Sequence, residues 1–331
     1  MANTLVKIVV NTLLGIILIV VWLQFVDIGE VISHLSQVKP VSILPIFLFF
    51  FLSAAARALR LKVFLAPIKK VAAKDLIFLT GVAMMLNFLI PVRAGEIGKA
   101  VYLNTQYVLD VKKSLVWIFL DRFIDFLVVL SLASVLFFIV PSNLPQNVIY
   151  IFSLIFAVAL LLTFLMVYKV SFARKLFKLM SYLLIVDLIK IYFERIYEFF
   201  LESFSILRRH PKDLVLIFLI TVLAYGFDAA VWYYAFVAIN NPQPVLMMYL
   251  GQLISALTYL IPAAPGYVGS AEASGLLIFS GVFGLPANIA SSMVVLFHIS
   301  ASVFVLVYGI ISVYFLKINL GVIISRALKR S

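Results

Sequence analysis

A small set of ionisable side chains interrupts long apolar stretches of this chain: Arg93, Glu96, Asp121, Arg122, Asp125, Asp228, Glu272 and His298. An ionised group in a spanning helix costs about 2.5 kcal/mol or more, depending on its reach to water. Arg93 and Glu96 flank Gly95, while Asp121 and Asp125 stand one helical turn apart and share a face. One use for such groups is internal pairing, Arg93 with Glu96 or Arg122 with Asp125, to hold broken helices in place. For the whole set a polar cavity near the membrane midplane is favoured, because pairing alone needs far fewer charges. Such a cavity sets cations that can hold an anion beside carboxylates that can balance them or carry a proton. His298, alone on an apolar span, reads as packing or a hydrogen-bonding strut.

Other chemistries find little support. Cysteine is absent, so no thiolate nucleophile, disulfide or cysteine-bound metal exists. His34, His210 and His298 have no metal-ligand spacing, and neither a metal nor an organic cofactor is expected. The segment Gly95-Glu96-Ile97-Gly98-Lys99-Ala100 has the wrong glycine spacing for a phosphate loop, with Ala100 where a hydroxyl would bind magnesium. The net charge of +12 gives no reason for a nucleic-acid partner, because its placement follows membrane topology.

The elements that position these residues lie in lipid. The chain has 331 residues, of which 65% are hydrophobic and 12% charged, with a mean hydropathy of +1.19. A soluble domain carries about a quarter charged residues. At roughly 20 apolar residues per span, six spans are expected at 5–26, 41–59, 114–140, 147–168, 214–239 and 288–316. Two further apolar stretches, 76–103 and 245–283, are broken by Pro91 and Gly95 and by Pro262, Pro265 and Gly266. Proline removes a backbone donor and clashes with the preceding turn. Non-helical backbone survives at membrane depth only where protein or a water-filled cavity satisfies it. Both stretches therefore read as hairpins that enter and leave on one side, with a kinked full span as the alternative for each.

Charge placement favours the hairpins. With the N-terminus inside, almost every Lys and Arg outside the membrane elements falls on the cytoplasmic side, Lys39 excepted, and the loops 141–146 and 240–244 carry no charge. A single hairpin turned into a full span would invert everything after it. The same topology exposes an inverted repeat: two spans, a hairpin and a span, twice, in opposite directions. Arg57 precedes Pro91 by 34 residues, and Asp228 precedes Pro262 by 34. The expected architecture is thus all-α and polytopic, one membrane domain over 1–331. Its first repeat is 1–140, its second is 141–168 plus 213–316, its amphipathic cytoplasmic linker is 169–212, and its basic tail is 317–331. Both termini are expected in the cytoplasm and the protein in the plasma membrane.

Four ordered motifs resemble a known family. Asn87-Phe88-Leu89-Ile90-Pro91-Val92-Arg93-Ala94-Gly95-Glu96 resembles the N-x-x-x-P-x-R-x-G-E signature of the lysylphosphatidylglycerol synthase/flippase membrane domain. Arg57-Ala58-Leu59-Arg60-Leu61-Lys62, then Leu120-Asp121-Arg122-Phe123-Ile124-Asp125, then Pro262-Ala263-Ala264-Pro265-Gly266-Tyr267-Val268-Gly269-Ser270-Ala271-Glu272 resemble its further blocks, in the same order. Lys99 stands where the family often has Arg, and Asp121 where it often has Glu. Lys keeps the charge but lacks the planar fork that grips phosphate. The resemblance implies a flippase for phospholipids or polyprenyl-linked lipids, with membrane lipids as partners and a homo-oligomer left open. Because the chain ends at Ser331, the family's soluble aminoacyl-transferase domain, and lipid aminoacylation with it, are not expected. An enzyme is therefore not the first expectation. The alternatives are a membrane enzyme acting on lipid-linked substrates and an ion-coupled solute carrier. The expected substrate pathway comprises Asn87, Pro91, Arg93, Gly95, Glu96, Asp121, Arg122, Asp125, Asp228, Pro262, Gly266, Gly269 and Glu272.

Overall fold

The structure, a computed structural model, describes residues 2–90, 94–109, 111–182, 191, 194, 198, 211–258, 264–318 and 321. Among them the architecture is all-helical. Helix α1 (Ala2–Leu23) turns by 90° into the short α2 (Ile28–Ser36). Asp27 caps α2, its carboxylate accepting from the amides of Gly29 and Glu30 at 2.7 and 3.2 Å. A 3-10 turn (Pro40–Ile43) leads into α3 (Leu44–Leu65). Then come α4 (Ala73–Leu89), α5 (Ala94–Tyr107), α6 (Val111–Leu136), α7 (Gln146–Tyr168) and α8 (Val170–Tyr182). The chain continues through α9 (Pro211–Ala238), α10 (Val245–Thr258), α11 (Ser270–Leu276) with a π-helical turn (Leu277–Val282), and α12 (Ala287–Leu316).

Four helical stretches, Pro40–Leu65, Gln146–Leu165, Lys212–Ala238 and Ala287–Leu316, are long and apolar enough to cross a membrane. The bent pair α1–α2 makes a fifth if it counts as one span. Six were expected. Helix α6, the expected third span, has 26 residues and so enough length, but Asp121, Arg122 and Asp125 sit in its middle. The bend after Leu23 and the separate α2 were not foreseen. Of the expected amphipathic linker, α8 is described; most of 183–210 and nearly all of the basic tail lie outside the described residues.

Both Pro/Gly-broken stretches fold back on themselves. In the first, Gly95 at the start of α5 lies so close to Ala83 of α4 that an added Cβ would stand 2.1 Å from the Ala83 carbonyl oxygen. The Tyr107 hydroxyl, at the far end of α5, donates to Asp75 at the start of α4. The two ends of this element therefore meet. In the second, Gly251 in the middle of α10 faces Ile278 and Phe283 beyond α11. The flanks of the two breaks lie together: the ring of Phe88, before the first, is centred 6.2 Å from that of Tyr267, after the second.

Helix α3 packs along α9 and α4 along α12, and these pairs form the centre of the molecule. At one end, Leu65, Val71, Leu109, Ala173 and Ile217 share an apolar cluster, joining segments all expected on the cytoplasmic side. At the other, the Asp27 amide donates to Asn288 at 2.9 Å and the Asn143 amide to the Val282 carbonyl at 2.7 Å. Those segments are the ones expected outside.

Candidate functional site: a charge network and a histidine–glutamate pair

Ser53, Arg57 and Arg60 recur at helical spacing along α3, and Thr221, Tyr225 and Asp228 recur with the same spacing along α9. Where these stripes face each other, Arg57 donates to the Ser53 hydroxyl and to Asp228 Oδ2, the latter at 2.6 Å. Ser53 donates to the other oxygen of Asp228. The Arg57 guanidinium lies 5.5 Å from the centre of the Tyr225 ring, a cation–π geometry.

One turn further along α3, Arg60 is 1% exposed. It pairs with Asp121 at 2.7 Å, donates to Asp125 at 3.1 Å through Nη2 and again through Nη1, and reaches the Thr221 hydroxyl at 3.0 Å. Arg122 grips the same two carboxylates, Asp121 at 2.6 Å and Asp125 at 3.3 Å. Two carboxylates one turn apart repel. Placing a guanidinium on each side turns that repulsion into a shared cage. On α5, Lys99 pairs with Glu96 at 3.5 Å. Helices α3, α5 and α6 thus supply four cations, Arg57, Arg60, Lys99 and Arg122, to four carboxylates, Glu96, Asp121 and Asp125 from α5 and α6 and Asp228 from α9. Buried charge is tolerated only when paired and hydrogen-bonded, and this set meets that condition except at the Nε atoms of Arg60 and Arg122, which have no partner.

A narrow cleft opens beside the network, lined by Leu61, Leu65, Glu96, Lys99, Leu103, Ser114, Trp117 and Asp121. Its polar groups come from α5 and α6, and its apolar wall from Leu61 and Leu65 of α3, Leu103 of α5 and Trp117 of α6. The Arg122 side chain is 41% exposed, in contrast to Arg60.

A second polar site stands apart. Glu272 on α11 accepts from the Gly269 amide at 2.8 Å through Oε2 and meets His298 Nδ1 at 2.5 Å through Oε1. His298 Nε2 donates to the Gly266 carbonyl at 2.7 Å. Gly266 and Gly269 both take positive φ, +70° and +80°, which side chains disfavour. A Cβ on Gly269 would also stand 2.1 Å from the Gly15 carbonyl oxygen of α1.

Sequence reasoning placed all its ionisable candidates in one cavity. The described ones divide in two. Glu96, Asp121, Arg122, Asp125 and Asp228 join the charge network, whereas Glu272 has both oxygens occupied by His298 and Gly269. Asn87 and Gly95 serve the first break, the Asn87 side-chain oxygen accepting from the Gly95 amide at 2.8 Å. Pro91, Arg93 and Pro262 lie outside the described residues. His298, expected to pack or to serve as a strut, is bonded to Glu272 and to the Gly266 carbonyl. Arg57 and Arg60, at the end of the expected second span (41–59), are not cytoplasmic surface charges: α3 runs on to Leu65, and Arg60 is buried against Asp121 and Asp125. The signal that could have found them is the Ser53–Arg57–Arg60 spacing amid alanines. Among the described residues no group of three or more His, Asp or Glu side chains is arranged to hold a metal ion.

A family profile described as "Lysylphosphatidylglycerol synthase TM region" matches residues 6–309. A search of curated proteins returned no match.

Proposed function

Since the chain belongs to the lysylphosphatidylglycerol synthase TM-region family, we propose that it is a flippase, moving a phospholipid or lipid-linked head group across the membrane through a polar path. The carrying observation is the balanced charge network beside the cleft between α3, α5 and α6. The cleft has a volume of about 20 Å³, room for about one water. A zwitterionic or anionic head group therefore enters only as α3, α5 and α6 move apart, and it then finds cations whose present partners are carboxylates that it can replace. Lys99 and the half-exposed Arg122 exchange Glu96 and Asp121 for phosphate, and the released carboxylates attract any head-group amine. Arg60, locked on both aspartates, keeps the cage in place during the exchange. Arg93, which the motif places just after the first break, adds a further cation to the path. The acyl chains stay in lipid throughout.

The same reading includes the topology: six spans and two re-entrant hairpins, α4–α5 and α10–α11, as an inverted repeat with both termini cytoplasmic in the plasma membrane. Several contacts support it. Helices α3 and α4 pack together as α9 and α10 do, and α4 packs on α12 as α10 packs on α6. Arg57 and Asp228, equivalent by their spacing to the breaks, are paired with each other, as residues beside a pseudo-two-fold axis would be. The meeting of Phe88 with Tyr267 brings the flanks of the two breaks together.

A membrane enzyme would need an acid or base free to reach its substrate. Asp121 and Asp125 instead stay bonded to Arg60 even when Arg122 turns to phosphate, which favours transport. The test is to incubate proteoliposomes with a series of labelled phospholipids and a polyprenyl phosphate, then follow both position and chemical identity. Movement with the lipid chemically unchanged is expected; a new lipid product without movement would replace the flippase by an enzyme.

A further inference from the structure

The His298–Glu272 pair holds a proton that the flippase reading leaves unused. His298 Nε2 faces a carbonyl oxygen, that of Gly266 at 2.7 Å, and must therefore carry hydrogen. Nδ1 of the same ring faces Glu272 Oε1 at 2.5 Å. With Nε2 protonated, a neutral ring presents a lone pair at Nδ1, and an ionised Glu272 presents another at Oε1. Two lone pairs do not sit at that distance. One further proton lies between them, whether it is drawn on the imidazole or on the carboxyl.

Among the described residues the pair is also isolated from other charge. Helices α11 and α12 carry no other Asp, Glu, Lys, Arg or His, α10 carries none, and neither do the described side chains of α1. On α2, His34 is bonded to Ser292 and Glu30 to Asn288. On α4, Asp75 is bonded to Tyr107 at the far end of the hairpin, where Lys74 also lies. On α9, Asp228 is held by Arg57 and Ser53. The side chains of His298 and Glu272 are 13% and 10% exposed, so the pair is not completely sealed off by protein.

We propose that His298 and Glu272 form the binding site for a coupling proton, and that lipid movement through the charge network is driven by a proton gradient. This rests on the flippase reading for its lipid half. The proton leaves the Nδ1–Oε1 pair to water on one side and is replaced from the other, while Nε2–H stays on Gly266. No electron transfer or covalent step is involved. Once the proton has left, Nδ1 and Oε1 repel and must separate. Glu272 also holds the Gly269 amide, and His298 holds Gly266, so separation releases the tip of the second hairpin. That tip is wedged against Gly15 of α1 and against Phe88 of the first hairpin. The proton therefore controls the junction between the two breaks.

The test uses the full chain in liposomes with a trace of fluorescent phosphatidylglycerol, a pH difference of one unit, and the membrane potential clamped. For one proton per lipid, the labelled lipid should reach about a tenfold leaflet asymmetry in one gradient polarity, with protein-free liposomes near unity. Glu272→Gln and His298→Gln should each bring the ratio back towards unity, whatever their absolute rates. Wild-type protein that moves lipid yet gives a ratio of one in both polarities overturns the coupling and leaves the flippase reading intact. If no lipid moves at all, that reading fails and the site is judged by itself. In detergent, the wild-type melting temperature should fall by several degrees as pH rises from about 5 to 9, and that of His298→Gln should not. Identical pH profiles for the two proteins would remove the proton site.

Discussion

Arg60 and Lys99 belong to one charge network but should answer substitution differently. Arg60 is fully enclosed and joins two carboxylates and a threonine, so Arg60→Ala strands Asp121 and Asp125 against each other. Removing one member of a buried ion pair costs about 3–5 kcal/mol, and folded yield from detergent extracts should drop accordingly. Lys99→Gln, on the cleft wall with a single partner at 3.5 Å, should keep the yield and lose transport. The motif-borne Arg93 gives a graded case: transport should fall in the order wild type, Arg93→Lys, Arg93→Ala, since Lys keeps the charge but lacks the fork. Yield and flipping rate measured on the same preparations separate the two classes. The sequence made most of these residues visible, since an ionised group in an apolar run stands out. It could not say which carboxylate meets which cation. Asp121 and Asp125 lie about sixty residues from Arg60, and only the packing of α3 on α6 and α9 brings them together.

At the scale of elements, each hairpin depends on a glycine at a close approach. An alanine at Gly95 would put its Cβ 2.1 Å from a backbone oxygen of α4, and one at Gly269 would do the same to α1 while sitting at φ +80°. Backbone cannot step aside as a side-chain end can, and overpacking of this kind costs about 1–3 kcal/mol or more. Gly95→Ala and Gly269→Ala should each lower the melting temperature and the folded yield. Gly281→Ala, with nothing within 4 Å of the new methyl, should leave both unchanged and serves as the control. Proline and glycine made both breaks legible in sequence, because they act on the backbone locally. The right-angled turn between α1 and α2 was not legible. It is set by the Asp27 cap and by Asn288, which takes both the Asp27 amide and Glu30, and the second of these contacts is long-range.

For the molecule as a whole, the fold-back of both hairpins and the segregation of the loops to two ends fix what labelling should find. The chain has no cysteine, so single cysteines can be introduced without background. Positions 142 and 241 should react from outside intact cells, and positions 69 and 175 only after permeabilisation. Positions 74 and 112 should share the inner side, and 243 and 286 the outer. A pair split across the membrane would make that hairpin a full span and undo the inverted repeat. The central claim, that this fold moves lipid, is met most directly by a quenching measurement. Liposomes holding a fluorescent phospholipid in both leaflets, with or without the protein, receive a membrane-impermeant reductant from outside. Without protein about half of the fluorescence should survive, because only the outer leaflet is reached. With wild-type protein nearly all should be lost, and the loss should slow with Lys99→Gln. Survival of the same half with folded wild-type protein, across phospholipid and polyprenyl probes alike, would contradict the account.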